Sequence, residues 1–193
     1  RTRPPSRRST TRSFLSARDR ASTPPTRRAR TTTDRSVEAA VGLGGNLGSP
    51  RRAFEGAIEG LARDLSDLVV SPLYVTGPVG GPPQPDYLNA VALGRTNLSP
   101  LGLLGLLRRL EAAAGRDRSA GRDAPRPLDL DLLLYGALEL DLPGLVVPHP
   151  RLARRRFVLA PLADLRPSLV VPGTGRTVAQ LLEAAPPARV VRA

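Results

Sequence analysis

The chain has 193 residues, enough for one domain with a full core and too few for two comfortable ones. It contains no cysteine, methionine or tryptophan, which excludes a disulfide scaffold and any thiolate metal site, and no run approaches the roughly 18 to 20 apolar residues of a membrane helix. The formal charge of +12 invites a nucleic-acid reading, but residues 1–36 hold 11 arginines against Asp19 and Asp34, a net of +9, and leave only +3 for residues 37–193.

Residues 1–36 are rich in arginine, serine, threonine and proline, with Phe14 and Leu15 almost their only large apolar side chains. Such a segment cannot bury enough surface to order itself, so a disordered tail is expected. A nucleic-acid or membrane tether and an organelle-targeting segment are the alternatives, because transit peptides are also Arg- and Ser-rich; the prolines oppose an amphipathic helix. The chain does not open with methionine, so a shifted start or a fragment of a longer product is expected. All 29 basic residues are arginine, a bias that fits GC-rich codons and carries no mechanism.

From Val37 the texture changes. VEAAVGLGGN (37–46) predicts a strand ending in glycines. SPRRAFEGAIEGLARDL (49–65) predicts a helix, with Ser49 as N-cap, Pro50 at the first helical position, and Phe54, Ile58, Leu61 and Leu65 at helical spacing. LVVSPLYVTG (68–77) predicts one strand and PVGGPPQPD (78–86) a proline-stiffened loop. YLNAVALGRTN (87–97) predicts another strand, with Leu88, Ala90 and Ala92 on one face and Tyr87, Asn89 and Val91 on the other. SPLGLLGLLRRLEAAAGR (99–116) repeats the Ser-Pro helix start and ends at Gly115, suited to the C′ position. An arginine-rich loop, residues 116–126, then leads into RPLDLDLLLYG (126–136). The order β-α-β-β-α-β predicts a ferredoxin-like α+β sandwich. C-terminal additions follow: a loop and short helix in VPHPRLARRRFVLAPLADL (147–165), and a further helix in TVAQLLEAA (177–185).

RPLDLDLLLYG sets two aspartates into an otherwise apolar strand. Alternation puts Asp129, Asp131, Leu133 and Tyr135 on one face and Leu128, Leu130, Leu132 and Leu134 on the other. Carboxylates two residues apart on a strand lie about 7 Å from each other, close enough to repel and well placed to share a hard cation. Magnesium takes one or two carboxylates together with waters and substrate phosphates, so the pattern points to phosphoryl chemistry. Taken alone, the motif reads first as two aspartates at a solvated strand end paired with arginines, since so short a motif recurs by chance.

Other polar groups are spaced to converge on that strand. Tyr87 and Asn89 share a strand face, an aromatic plate beside a bidentate amide, which suits a flat heterocycle. Arg116, Arg118, Arg122 and Arg126 frame the loop before the aspartates, and arginine forks match phosphate oxygens. The only histidine, His149, is followed by Arg155 and by Phe157, a second aromatic plate. Each has a plainer reading as core aromatic, backbone-satisfied loop histidine or solvated charge.

Taken together, residues from Val37 to about Leu182 resemble the 6-hydroxymethyl-7,8-dihydropterin pyrophosphokinase family, through GLGGNLG, SPLYVTGPVGGPPQPDYLNAV, GRDR, APRPLDLDLLLYG and VPHPRLARRRFVLAPL. The resemblance implies transfer of the β,γ-diphosphate of ATP to the pterin hydroxymethyl group with release of AMP. It implies that Asp129 and Asp131 bind two magnesium ions bridging the triphosphate, and that Arg116 and Arg126 neutralise charge around the transferring group. Tyr87 and Phe157 would sandwich the pterin, Asn89 would read its amide edge, Thr76 and Val79 would lie beside it, and Gly44 would let the backbone pass close. Glu111, Arg118, His149 and Arg155 would stand at ATP; Glu111 on spacing alone also reads as a helix-end surface acid. ATP and the pterin are the expected partners, with no nucleic acid and no membrane, for a cytoplasmic monomer whose catalytic domain is residues 37–193.

The chain departs from the family's pattern at Asp123 and Ala124, where an aromatic and a glycine are common, at Gly45 for serine and at Gly77 for a second proline. Gly144 and Val146 stand where some relatives carry polar groups. Altered substrate affinities are expected. Paired strand aspartates on a ferredoxin-like palm also serve nucleotidyl transferases and polymerases, and a nucleic-acid binder driven by the basic tail is a further alternative.

Overall fold

The computed structural model describes residues 35–78, 83–117, 119, 121 and 124–193. The expectations for residues 1–34, Val79, Arg118, Arg122 and Asp123 lie outside the described residues.

The first strand is β1 (Val37–Gly45), whose small and branched side chains are buried from Ala39 to Leu43. Helix α1 (Pro50–Leu61) follows, then β2 (Ser66–Val70), β3 (Tyr74–Thr76), β4 (Tyr87–Thr96), α2 (Pro100–Ala113) and β5 (Asp129–Tyr135). A hairpin of β6 (Leu140–Leu142) and β7 (Leu145–Val147), a 3-10 turn (Leu152–Arg154) and α3 (Arg156–Leu165) come next. The short pair β8 (Val170–Val171) and β9 (Arg176–Thr177), α4 (Val178–Ala184) and β10 (Val190–Arg192) complete the chain. One six-stranded antiparallel sheet runs in the order β10-β3-β4-β1-β5, with β2 also paired to β4. No helix among the described residues is long and apolar enough to cross a membrane.

The helix boundaries follow local chemistry. Ser99 caps α2 by accepting a hydrogen bond from Gly102 N at 3.1 Å, and Gly115 ends it with φ +82, the left-handed C′ conformation. Ser49 occupies the corresponding position of α1 without such a bond. Thr177 and Gln180 form a reciprocal capping box on α4, satisfying two otherwise orphaned backbone donors.

Two expectations are corrected. Residues 68–77 form two strands, because Pro72 has no N–H to give the ladder. Ser71 keeps the neighbouring connection: its N–H donates to Val91 O at 2.9 Å and its hydroxyl accepts from Val91 N at 3.0 Å. The strict alternation expected along β5 also fails. The register against β1 shifts between Ala40, opposite Leu134, and Val41, opposite Leu132, so Leu133 is the extra residue of a bulge. Leu133 and Leu134 consequently enter the same core, beneath α3 and α4, and Tyr135 turns to the other side, where its hydroxyl donates to Leu98 O at 2.7 Å.

The sheet separates two cores. Phe54, Leu61, Leu103 and Leu107 of α1 and α2 pack on Val41, Leu43, Ala92, Leu130 and Leu132. Leu159, Leu162, Val178 and Leu181 of α3 and α4 pack on Ala40, Val91, Leu93, Leu133 and Leu134. Burying a leucine or isoleucine side chain stabilises by about 1.5 to 3 kcal/mol, so both layers are held mainly by apolar burial.

Candidate active site

Helices α3 and α4 leave part of their sheet face uncovered, and a cleft of about 930 Å³ opens there, within the size range of small-molecule sites, roughly 300 to 1,000 Å³. Register builds its floor. Gly44 of β1 pairs with Asn89 of β4 on one side and Asp129 of β5 on the other, and Gly42 stands between Val91 and Asp131. Two glycines in the middle strand leave the space between the amide and the carboxylates free of side chains. Gly45 is required for a different reason: a Cβ there would lie 2.4 Å from Pro127 O, so serine could not be accommodated in this backbone.

Asp129 and Asp131 both line the cleft, with side chains 29% and 38% exposed. Each already meets arginine. Arg116 Nη1 donates to Asp129 Oδ1, and Arg126 Nη1 donates to Asp129 Oδ2 at 3.1 Å. Arg155 Nη1 donates to Asp131 Oδ2 at 3.0 Å. These are charge-assisted hydrogen bonds, about twice as strong as neutral ones.

Glu111 sits behind this row. It is 2% exposed, not the surface acid that its place at a helix end allowed. Its Oε1 accepts from Leu130 N at 2.9 Å and from Arg116 Nη1, so it ties α2 to β5 and aims Arg116 at Asp129. A carboxylate buried this far needs such partners, because an unpaired one is very costly. Glu111 therefore lies beneath the cleft wall and does not line it.

His149 stands at the edge of the same row, its Nε2 3.7 Å from Asp131 Oδ2 and 3.5 Å from Arg155 Nη1. Its Nδ1 accepts from Arg151 N at 3.1 Å, which puts the ring proton of the neutral form on Nε2. Burial pushes its pKa below the usual imidazole value, against the pull of Asp131 and with the help of Arg155 and Arg151. The histidine is thus neutral at pH 7, and its approach to Asp131 is not an ion pair. Burial also lowers the Arg155 pKa, opposed chiefly by Asp131, and the guanidinium stays charged.

The same cleft also carries aromatic and amide groups. Tyr87, Asn89, Thr76 and Phe157 line it with Gly44. Asn89 Nδ2 donates to Thr76 Oγ1 at 2.8 Å, which orients the amide. The Arg155 guanidinium lies 5.5 Å from the Phe157 ring centroid, within cation–π range. Ten expected residues therefore share one cleft, Glu111 supports it from behind, His149 stands at its edge beside Asp131 and Arg155, and Val79 and Arg118 lie outside the described residues.

Sequence reasoning missed several groups. Asn46 joins three segments: Nδ2 donates to Gln84 Oε1 at 2.9 Å and Pro85 O at 3.1 Å, and Oδ1 accepts from Arg126 N at 3.0 Å. Gln84 Oε1 also accepts from the Tyr87 hydroxyl at 3.0 Å. Arg151 and Arg154 add positive charge to the cleft; Arg154 stands in the run 154–156, which reads as a solvated face, and Arg151 within VPHPRL had no role of its own assigned. Pro186, Pro187 and Ala188 complete the wall, far from every motif. A smaller recess of about 440 Å³ at β2, β4 and the end of α3 contains Glu38 and Arg166, already paired with each other.

Chemically, the arrangement offers two accessible carboxylates and several cations together with two aromatic rings and an oriented amide in one cleft. That is a site for a polyanion beside a heterocycle. Comparison with known proteins agrees. The family model for 7,8-dihydro-6-hydroxymethylpterin-pyrophosphokinase (HPPK) matches residues 40–167. The 2-amino-4-hydroxy-6-hydroxymethyldihydropteridine pyrophosphokinase of Pseudomonas aeruginosa is 47% identical over 148 residues, covering 76% of this chain and 90% of that protein. The protein of the same name from Synechocystis is 42% identical over 146 residues, 75% of this chain and 74% of that protein. Wild-type Plasmodium falciparum HPPK-DHPS shares the fold, with a TM-score of 0.60 at 14% identity over 77% of this chain; the match spans 44% of the length of that chain. The chain belongs to the HPPK family.

Proposed function

We propose that this member of the HPPK family transfers the β,γ-diphosphate of ATP to the hydroxymethyl group of 6-hydroxymethyl-7,8-dihydropterin, giving AMP and the pterin diphosphate, a step of folate biosynthesis. The observation that carries the reading is the single cleft that joins Asp129 and Asp131 with their arginines to Tyr87, Asn89 and Phe157. The strand order β5-β1-β4, with β2 and β3 beyond β4 and two helices on one face, supports the finer assignment of a ferredoxin-like sandwich. Residues 37–193 are taken as the catalytic domain, acting as a cytoplasmic monomer without a nucleic-acid partner.

Tyr87 and Phe157 hold the pterin between them, Asn89 reads its amide edge with Thr76 fixing the amide's orientation, and Gly44 leaves the floor open. The hydroxymethyl oxygen attacks the β-phosphorus as the bond from that phosphorus to the α-phosphate oxygen breaks. AMP leaves with that oxygen, and the hydroxyl proton passes to solvent. No protein nucleophile is needed; positioning, charge neutralisation and exclusion of water provide most of the rate. Arg116 and Arg126 face the charge that develops on the transferring group, and Arg155 and His149 meet the nucleotide. Glu111 acts through Arg116, as a positioning residue.

Magnesium fits the donor set: Asp129 and Asp131 offer hard carboxylate oxygens on the cleft wall, and magnesium usually takes only one or two carboxylates from protein. Among the described residues no group of three or more acids or histidines is gathered for a metal, so phosphate oxygens and water would complete the coordination of two ions. Bound there, the metal neutralises polyphosphate charge.

AMP release from ATP and magnesium, measured with and without the dihydropterin, tests the reading. Pterin-dependent AMP from the parent chain, abolished in Asp129→Ala, is the expected result. AMP formation that ignores the pterin would overturn it.

A further inference from the structure

The cleft has a wall that lies beyond the matched family region, which ends at residue 167. Pro186, Pro187 and Ala188 face the cleft between α4 and β10, and both ends of this short segment are fastened. At its start, Ala185 is buried in the core under α3 and α4. Arg156, the first residue of α3, donates from Nη1 to Leu182 O at 2.9 Å and to Ala185 O at 3.5 Å. At its end, β10 joins the sheet edge in antiparallel register, with Val190 opposite Thr76, Val191 opposite Val75 and Arg192 opposite Tyr74. Arg189 Nη1 also reaches Asp86 Oδ2 at 3.5 Å, beside Tyr87.

The two anchor points decide what the segment faces. One adjoins Phe157, next in sequence to Arg156; the other adjoins Thr76, whose hydroxyl orients Asn89. Pro186 to Ala188 therefore line the cleft between an anchor beside the second aromatic plate and an anchor beside the amide's partner. Two successive prolines bring no backbone N–H and a fixed φ, so the segment is stiff and poor in donors: matched to the edge of a heterocycle and unsuited to phosphate.

We infer that Pro186, Pro187 and Ala188 form a specificity-determining wall of the heterocycle pocket, limiting what the pterin can carry on the edge that faces them, with Arg156 as the positioning residue that holds the wall in place. The inference rests on the functional reading above, since it takes the flat ligand to be a pterin.

Steady-state kinetics of the parent chain, Ala188→Trp and Arg156→Gln, with melting curves for each, test it. Ala188→Trp pushes bulk into the pocket from this wall, and its KM for the dihydropterin should rise about tenfold or more, with KM for ATP and kcat within about twofold of the parent. Arg156→Gln should raise the pterin KM by a smaller factor in the same selective manner, which a merely structural role would not do. Unchanged pterin KM in both variants overturns the wall, as does an equal loss for ATP and pterin in folded protein. If Ala188→Trp fails to fold, Arg156→Gln decides alone. A parent chain without pterin-dependent turnover overturns the functional reading and the wall with it; an active parent with two unaffected variants overturns the wall alone.

Discussion

The two faces of the central sheet are made from the same strands and do different work. On one face α1 and α2 lie over β1, β4 and β5 and seal them, with Leu61, Leu103 and Leu107 wholly buried. On the other, α3 and α4 cover Ala40, Val91, Leu93, Leu133 and Leu134 and stop short. The uncovered end presents Gly42, Gly44, Asn89, Asp129 and Asp131 to the cleft. A layer can be closed by burial alone, whereas an open half-layer needs every polar group held by another. Here Thr76 holds Asn89, Glu111 holds Arg116, and arginines hold both aspartates.

The open face is the more sensitive of the two to single substitutions. Asp131→Asn should lower the rate constant at saturating ATP by about a thousandfold, on the order of 4 kcal/mol, and leave pterin binding largely intact. Single-turnover measurements check this, and a loss under about tenfold would remove the metal role from Asp131. On the sealed face, Leu107→Ala should cost about 2 to 5 kcal/mol of stability in urea unfolding, through lost burial and a cavity, with both KM values unchanged. A shifted KM would mean that the faces are not independent.

The smallest effect concerns His149, whose folded pKa lies below its usual value because of burial. The unfolded chain then binds a proton that the folded chain resists, so stability present above about pH 6.5 is lost as the pH falls from there through the folded pKa. Melting curves at about pH 7.5 and about pH 5.5 should show this loss in the parent and less of it in His149→Gln. Equal losses would relieve His149 of that role.

Much of this molecule can be read before folding it. The Ser-Pro helix starts, the glycine stop at Gly115, the alternation along Tyr87–Leu93 and the aspartate pair all depend on neighbours a few residues away, where spacing is informative. The misreadings have the opposite character. Pro72 splits a strand only because β4 demands a ladder there, and the bulge that turns Leu134 and Tyr135 exists only against β1. Glu111 looks like a surface acid until α2 packs on β5 and Leu130 N needs an acceptor. Asn46, Gln84 and Arg126 gain their connections from three segments that are remote in sequence.

By itself, then, the sequence determined that Tyr87 and Asn89 share one face of their strand and Asp129 and Asp131 one face of theirs, because side-chain type and a period of two or 3.6 are local properties. The tertiary structure alone decided that Gly44 separates Asn89 from Asp129, that buried Glu111 stands behind Arg116, and that Pro186–Ala188 line the cleft. Those are contacts between distant segments, set by strand register and by where helices end, and neither quantity is encoded in any one stretch of the chain.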